Sequence, residues 1–231
     1  MGGILLGDIG HRKLKDIEFV FLDTETTGLS YCSYIVEIGL IKFQGYRMID
    51  TFNYLIKPPV LIPKNVIRVH GIDDGMVKNA PTFGELADLI LDFLKDSVLV
   101  IHNASFDVNV LAYNLMREGL SIPSNYVIDT IELVKTFFPK LGSYSLESLA
   151  RIWDSPYRTF HRALVDAKNT AFIFFSVLKK CGYTMEETFE ELVSAIGSIK
   201  TFPDYCYKLK LESLGETDVW QVGNGKSGNT G

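Results

Sequence analysis

The 231-residue sequence is poor in three features, each of which would have set its class. It has only three cysteines, Cys32, Cys181 and Cys206, widely scattered, with no CxxC pair and no histidine at zinc spacing. That excludes a disulfide-stapled scaffold and a zinc finger, and the three read as reduced thiols. It has no long apolar run. The most apolar stretch, AFIFFSVL at 171–178, falls far short of the ~20 residues a membrane helix needs. The apolar run at residues 4–6 is too short for the core of a signal peptide, and Leu6 stands where a myristoylation signal needs Ser or Thr. A cytoplasmic protein without a membrane partner is expected. The sequence also lacks an excess of positive charge, with 23 Lys and Arg against 28 Asp and Glu and a net charge of −5. That argues against broad phosphate neutralisation as the grip on a nucleic acid. It leaves open an enzyme that touches only a few terminal nucleotides.

What is present is the balance of an ordinary globular protein, 47% hydrophobic and 22% charged. The length suits one to one and a half domains, and a full core needs no staples. Residues 18–25 (EFVFLDTE) form an apolar run ending in acids, which reads as a buried strand. Residues 34–43 and 47–57 are rich in β-branched and aromatic types around a short Gly45 turn, which predicts a hairpin. A helical turn follows near 63–69. Thr82 and Glu85 predict a capping box for the next helix. VLVIH at 98–102 predicts a fourth strand, with Ser105 capping a helix to about Glu118, and YVIDT at 126–130 predicts a fifth. Ser145 opens a short helix to about Trp153. Leu164, Ala167, Ala171, Phe174, Phe175 and Leu178 define a long helix over 163–180, and 185–197 gives one more. The order βββαβαβαα predicts an α/β domain.

Four acids fall at element ends. Asp23 and Glu25 are two apart at the end of the first strand, so their side chains share a side. Thr26-Thr27-Gly28-Leu29 makes a sharp exit. Asp107 closes HNASFD at 102–107, and Asp166 closes HRALVD at 161–166. Each alone also fits a plain structural role: a solvated strand end, a first-turn acid, a capping histidine. Together, two strand ends and a helix start can converge on one edge of a sheet. Four carboxylates without a matching cluster of Arg or Lys would then need a divalent cation. A pair of ions clamping the attacking and leaving oxygens of a phosphodiester requires such a set.

DTETTGL at 23–29, HNASFD at 102–107 and HRALVDA at 161–167 resemble, in order, the three motifs of the DEDDh 3′→5′ exonuclease superfamily. IVEIG at 35–39 and IPKNVIRVHGI at 62–72 resemble the proofreading exonucleases of bacterial DNA polymerase III. The resemblance covers about residues 17–180. It implies a ribonuclease H-like fold, a mixed five-stranded sheet with one strand antiparallel to the rest, flanked by helices. It implies two Mg²⁺ or Mn²⁺ ions on Asp23, Glu25, Asp107 and Asp166, with His161 as general base. It further implies that Thr26, Leu29, His70, Asn103 and Phe106 meet the terminal nucleotides, although Leu29, His70 and Phe106 fit core or loop roles equally well. The expected partners are a single-stranded DNA 3′ end and a DNA polymerase catalytic subunit, with no small-molecule cofactor beyond metal. An exoribonuclease would carry the same catalytic residues, so RNA stays open as a substrate, and a non-catalytic adaptor for a polymerase is a further alternative. No clamp-binding pentapeptide is present. The expected organisation is an N-terminal extension (1–16), an exonuclease domain (17–182), a helical extension (183–222) and a disordered tail (223–231).

Overall fold

Strand β1 (Glu18–Thr26) organises the molecule because its two faces serve two cores. Val20 and Leu22 face one and Phe19 and Phe21 the other, as a period of two requires, and all four are fully buried. The computed structural model describes residues 7–197 and 199–206, so the expected tail at 223–231 and residues 207–222 of the expected helical extension lie outside the described residues. After β1 come β2 (Ile35–Gln44) and β3 (Arg47–Leu55), then α1 (Lys64–His70), α2 (Asp74–Val77) and α3 (Phe83–Leu94). β4 (Val98–Ile101), α4 (Ala104–Arg117), β5 (Tyr126–Asp129) and α5 (Thr130–Phe137) follow. The chain continues through α6 (Leu146–Ile152), α7 (Ala163–Lys180), α8 (Phe189–Ile196), β6 (Lys200–Thr201) and α9 (Phe202–Tyr205).

The strands form one mixed sheet in the order β3-β2-β1-β4-β5-β6. β2 runs antiparallel to β1 and β3, while β1, β4 and β5 run parallel. Those five reproduce the expected ribonuclease H-like sheet with its single reversed strand. The sheet has a sixth strand as well, because β6 pairs antiparallel with Tyr126 and Val127. A two-residue strand carries no readable alternation, so the pattern could not announce it. α3, α4 and α9 cover one face of the sheet, and α5, α6, α7 and α8 cover the other. α1 and α2 close a smaller cluster over Val36. Among the described residues, no helix is long and apolar enough to cross a membrane.

Local chemistry accounts for most boundaries. Gly45 turns the β2–β3 hairpin at φ 54°. Thr82 and Glu85 form their capping box, and the Ser145 side chain accepts from the Ser148 N–H. The long helix matches its expected span. Three expectations are corrected, and two short helices were not foreseen. Ser105 lies inside α4, whose N-cap is Asn103 in the left-handed region at φ 61°. Residue 130 starts a helix instead of ending a strand, because the Asp129 side chain accepts from the Ile131 N–H at 2.8 Å. α2 and α9 are single turns that periodicity is too short to show. α8 begins only at Phe189, after a second capping box on Thr188 and Glu191. Residues of the two flanking segments also pair with each other. Leu14 N–H donates to Glu187 O at 2.9 Å and Phe189 N–H to Arg12 O at 3.0 Å, while Leu14 and Ile17 join the core beneath α7 and α8.

Candidate active site

The acids at the end of β1 continue the alternation of its core. Asp23 and Glu25 share the parity of Phe19 and Phe21, which places them on the α7 face, while Thr24 and Thr26 share that of Val20 and Leu22. Thr24 reaches α4: its N–H donates to Asp107 Oδ1 at 2.9 Å and its hydroxyl to the same oxygen at 2.7 Å. β1 therefore presents two carboxylates of its own and anchors a third. The fourth comes from the first turn of α7, where Asp166 Oδ2 accepts the His161 N–H at 2.7 Å.

The resulting cluster is short of positive charge and of water. Asp23 titrates well above the ordinary carboxylate range, first because it is buried and then because of the charges of Asp107, Asp166 and Glu25. Burial, with Asp166 next, pushes Glu25 up to about 8. Burial pushes Asp107 up to about 7 against the two Thr24 hydrogen bonds. It pushes Asp166 up to about 6 against the His161 N–H. Asp166 Oδ1 is buried and has no hydrogen-bond partner. His161 is exposed, and one of its ring nitrogens lies within 4.8 Å of a Glu25 and an Asp166 oxygen. These residues fit one or more divalent cations. They offer hard oxygen donors, each destabilised when ionised without a counter-charge, and one buried lone pair with nothing to bind.

The residues expected around a substrate divide in two. Thr26 is buried, and its hydroxyl donates to Gly28 O at 2.6 Å, so the side chain holds the sharp exit turn. Leu29 stands beyond that turn, 90% exposed. Phe106 is half-buried with its ring 6.3 Å from that of Tyr31, beside Asp107 at the start of α4. His70 is buried at the end of α1 with Nδ1 accepting the Ile72 N–H at 3.0 Å, and burial lowers its pKa. The Thr26 backbone and the charges of Glu37 and His161 also act on His70, which places it on the rim of the cluster. Asn103 is exposed, and its N–H donates to Asp129 Oδ1 at 3.3 Å. Its backbone turn starts α4 and so delivers Asp107.

Three groups escaped the sequence reading. Asp129 accepts from three backbone N–H groups, those of Asn103, Ala104 and Ile131, tying the exit of β4 to α5. Arg162 and Glu37 form an ion pair at 2.8 Å beside Glu25, so the cluster is not wholly without an arginine. The sequence carried a signal that Glu37 needs a partner, as an acid inside the apolar run IVEIGLI, but not which residue supplies it.

A mixed sheet with three parallel strands, an acidic cluster at the end of β1, two helices delivering further acids, and an exposed histidine alongside together offer the donor set of a metal-dependent hydrolase. Residues 20–174 match the family model described as exonuclease, and the chain belongs to that family. Among curated relatives, it is 39% identical over 183 residues to the PolC-type DNA polymerase III of Caldanaerobacter subterraneus subsp. tengcongensis, covering 79% of this chain and 13% of that protein. It is 36% identical over 213 residues to the PolC-type DNA polymerase III of Thermotoga maritima, covering 90% of this chain and 15% of that protein. The chain thus spans only a small part of the length of the relatives it matches. Among solved structures, exonuclease X in complex with 5′-overhanging duplex DNA superposes with a TM-score of 0.59 at 26% identity, covering 75% of this chain and 98% of that one. The nuclease domain of 3′hExo, a DEDDh family member bound to rAMP, shares the fold with a TM-score of 0.64 at 18% identity, covering 74% and 97%.

Proposed function

We propose that this chain is a 3′→5′ exonuclease that removes nucleotides one at a time from a single-stranded DNA end, releasing nucleoside 5′-monophosphates, as the proofreader of a DNA polymerase in the cytoplasm. The observation that carries the reading is the convergence of Asp23, Glu25, Asp107 and Asp166, with an unpartnered buried oxygen on Asp166, beside His161. Asp23, Glu25 and Asp166 would hold one divalent ion, and Asp23 with Asp107 a second. Bound Mg²⁺ or Mn²⁺ supplies positive charge at the attacked phosphate. A ring nitrogen of His161 accepts the proton of the attacking water, a task suited to imidazole at neutral pH. The water oxygen bonds to phosphorus as the phosphorus–oxygen bond to the 3′-oxygen of the penultimate nucleotide breaks, and that oxygen takes a proton from solvent and leaves as a hydroxyl. Leu29 wedges at the terminal bases, while Phe106 and His70 line the nucleotide pocket, with Thr26 and Asn103 completing its wall. Residues 17–182 form the nuclease unit in this reading.

A 5′-labelled oligonucleotide followed over time tests it. A ladder that shortens from the 3′ side, faster on single strands than on blunt duplex, is the expected result. Internal cuts, or loss of the 5′ label in one step, would sink the proposal. A matched RNA oligonucleotide run alongside decides between DNA and RNA as substrate, since the 2′-OH is the main difference.

A further inference from the structure

Glu37 is 1% exposed and sits directly across from Glu25 in the β1–β2 pairing, yet it is not available to a cation. Both of its oxygens are taken. Arg162 Nη2 donates to Oε1 at 2.8 Å and Nε donates to Oε2 at 3.0 Å, and the Ala163 N–H donates to Oε2 at 3.1 Å. This is the planar, two-point pairing that guanidinium makes with carboxylate. The Ala163 bond satisfies one of the free amides at the start of α7.

Two residues further along the same face of β2 stands Gly39. A Cβ there would lie 2.3 Å from Leu164 N and 2.4 Å from Ala163 C. Contacts that short involve backbone, which cannot swing aside, so the first turn of α7 rests on bare strand. Immediately before that turn, His161 takes φ 61°, a left-handed conformation that disfavours a residue with a Cβ. Its N–H is held by Asp166 Oδ2. The 161–166 segment is therefore held by one bond of its own and by the contacts of β2 with Arg162, Ala163 and Leu164.

We propose that Glu37 and Gly39 form the seat of the 161–166 turn, with Gly39 letting the turn reach the sheet and Glu37, through Arg162 and the Ala163 amide, orienting His161 and Asp166 against Glu25. The inference rests on the nuclease reading, in which His161 and Asp166 serve the chemistry. Glu37 touches no reacting atom and is a positioning residue. Its buried charge is neutralised by Arg162, which also leaves one cation beside Glu25 to offset the crowded acids.

Glu37→Gln tests the seat, because it keeps the volume and one acceptor while removing the charge that holds Arg162. The Arg162 side chain is 44% exposed and can turn to water, so the variant is expected to fold. Three readouts are needed: the thermal melt, the backbone amide resonances of residues 161–166, and single-turnover cleavage of a 5′-labelled single strand with its KM. The expected result is a melt close to wild type, displaced resonances for His161, Ala163 and Asp166, and a cleavage rate lower by ~10–100-fold, the usual effect of an ångström-scale misplacement. KM is expected to stay near wild type. Should Glu37→Gln not fold, Arg162→Lys, which keeps the charge and loses the fork, is read by the same three measurements with a smaller loss expected. Wild-type resonances and wild-type rate in the folded variant would overturn the seat, as would a rate that falls only in step with melting while the resonances stay put. An inactive wild-type chain would overturn the nuclease reading instead, and the resonance displacement would then decide the seat by itself.

Discussion

The two halves of β1 differ in how far they leave water and in what that withdrawal does. In the first half, Phe19 to Leu22 are fully buried, and Phe21 packs its ring 5.5–5.6 Å from those of Phe43, Phe174 and Phe175. Removing such a side chain from water stabilises the fold by roughly 1.5–3 kcal/mol. In the second half, on the same face and in the same pleat, Asp23 and Glu25 are withdrawn from water with no counter-charge of their own. Burial there opposes folding until something neutralises the acids. One strand thus adds to stability through Phe19–Leu22 and stores a demand for positive charge in Asp23 and Glu25. The control lies next door: Asp129, half-buried, has three backbone N–H donors and serves as a tie between elements. Unsatisfied burial, and not burial as such, marks the site.

The sharpest way to separate the halves is to remove a group that should matter only to chemistry. His161→Ala is expected to lower kcat by ~10²–10⁴-fold, the usual worth of a positioned base, with binding of the oligonucleotide nearly unchanged. Loss of affinity at constant turnover would make His161 a binding residue. Next in size, Phe21→Ala should cost about 3–5 kcal/mol in denaturant titrations, while leaving the response to metal intact in whatever fraction stays folded. A metal response that vanished with the ring would show that the halves are not separable.

Asp23→Asn inverts that pattern. Wild type should gain roughly 1.4 kcal/mol when Mg²⁺ or Mn²⁺ is present at ten times its Kd, a Tm rise of about 3–6 °C for a domain this size. The Asn variant should be at least as stable as wild type in EDTA and respond far less to metal. Equal gains in both proteins would remove the foundation of the metal site. The last effect is the slope with pH. Unfolded carboxyls lose their protons near pH 4, whereas in the fold Asp166 holds its proton to about 6, Asp107 to about 7 and Glu25 to about 8. Between these limits the folded state binds more protons than the unfolded one, so metal-free stability falls as pH rises. Melts in EDTA from pH 5 to 8 should show the decline, and excess Mg²⁺ should flatten it. A metal-free Tm that rose over this range would contradict the acidic cluster.

Much of the fold was legible because local signals and tertiary demands agree. The apolar run at 18–22, the Gly45 turn, the Thr82–Glu85 box and the long 163–180 periodicity each reappear as built. What was missed shares a physical reason. β6 and α9 are too short for a period to show, and α5 starts on a cap supplied by what reads as a strand residue, Asp129. Asn103, not Ser105, caps α4 because the chain leaves β4 in a left-handed turn that no propensity announces. At the site, the four acids and His161 were legible as types at element ends, but the Arg162–Glu37 pair was not. It joins residues 125 positions apart, and the partner of a buried acid is chosen by packing.

By itself, the sequence determined the longer elements, the parity that puts Asp23 and Glu25 on one side of β1, and the motifs that resemble an exonuclease. Those are consequences of neighbours along the chain: alternation, capping and turn chemistry act over a few residues. Only the tertiary structure decided that Thr24 anchors Asp107 through two hydrogen bonds, that Asp166 keeps an unpartnered oxygen, and that the turn bearing His161 rests on Gly39 and Glu37. Each of these depends on how far a side chain sits from water and on which distant group comes to meet it, and burial is a property of the packed sheet and helices.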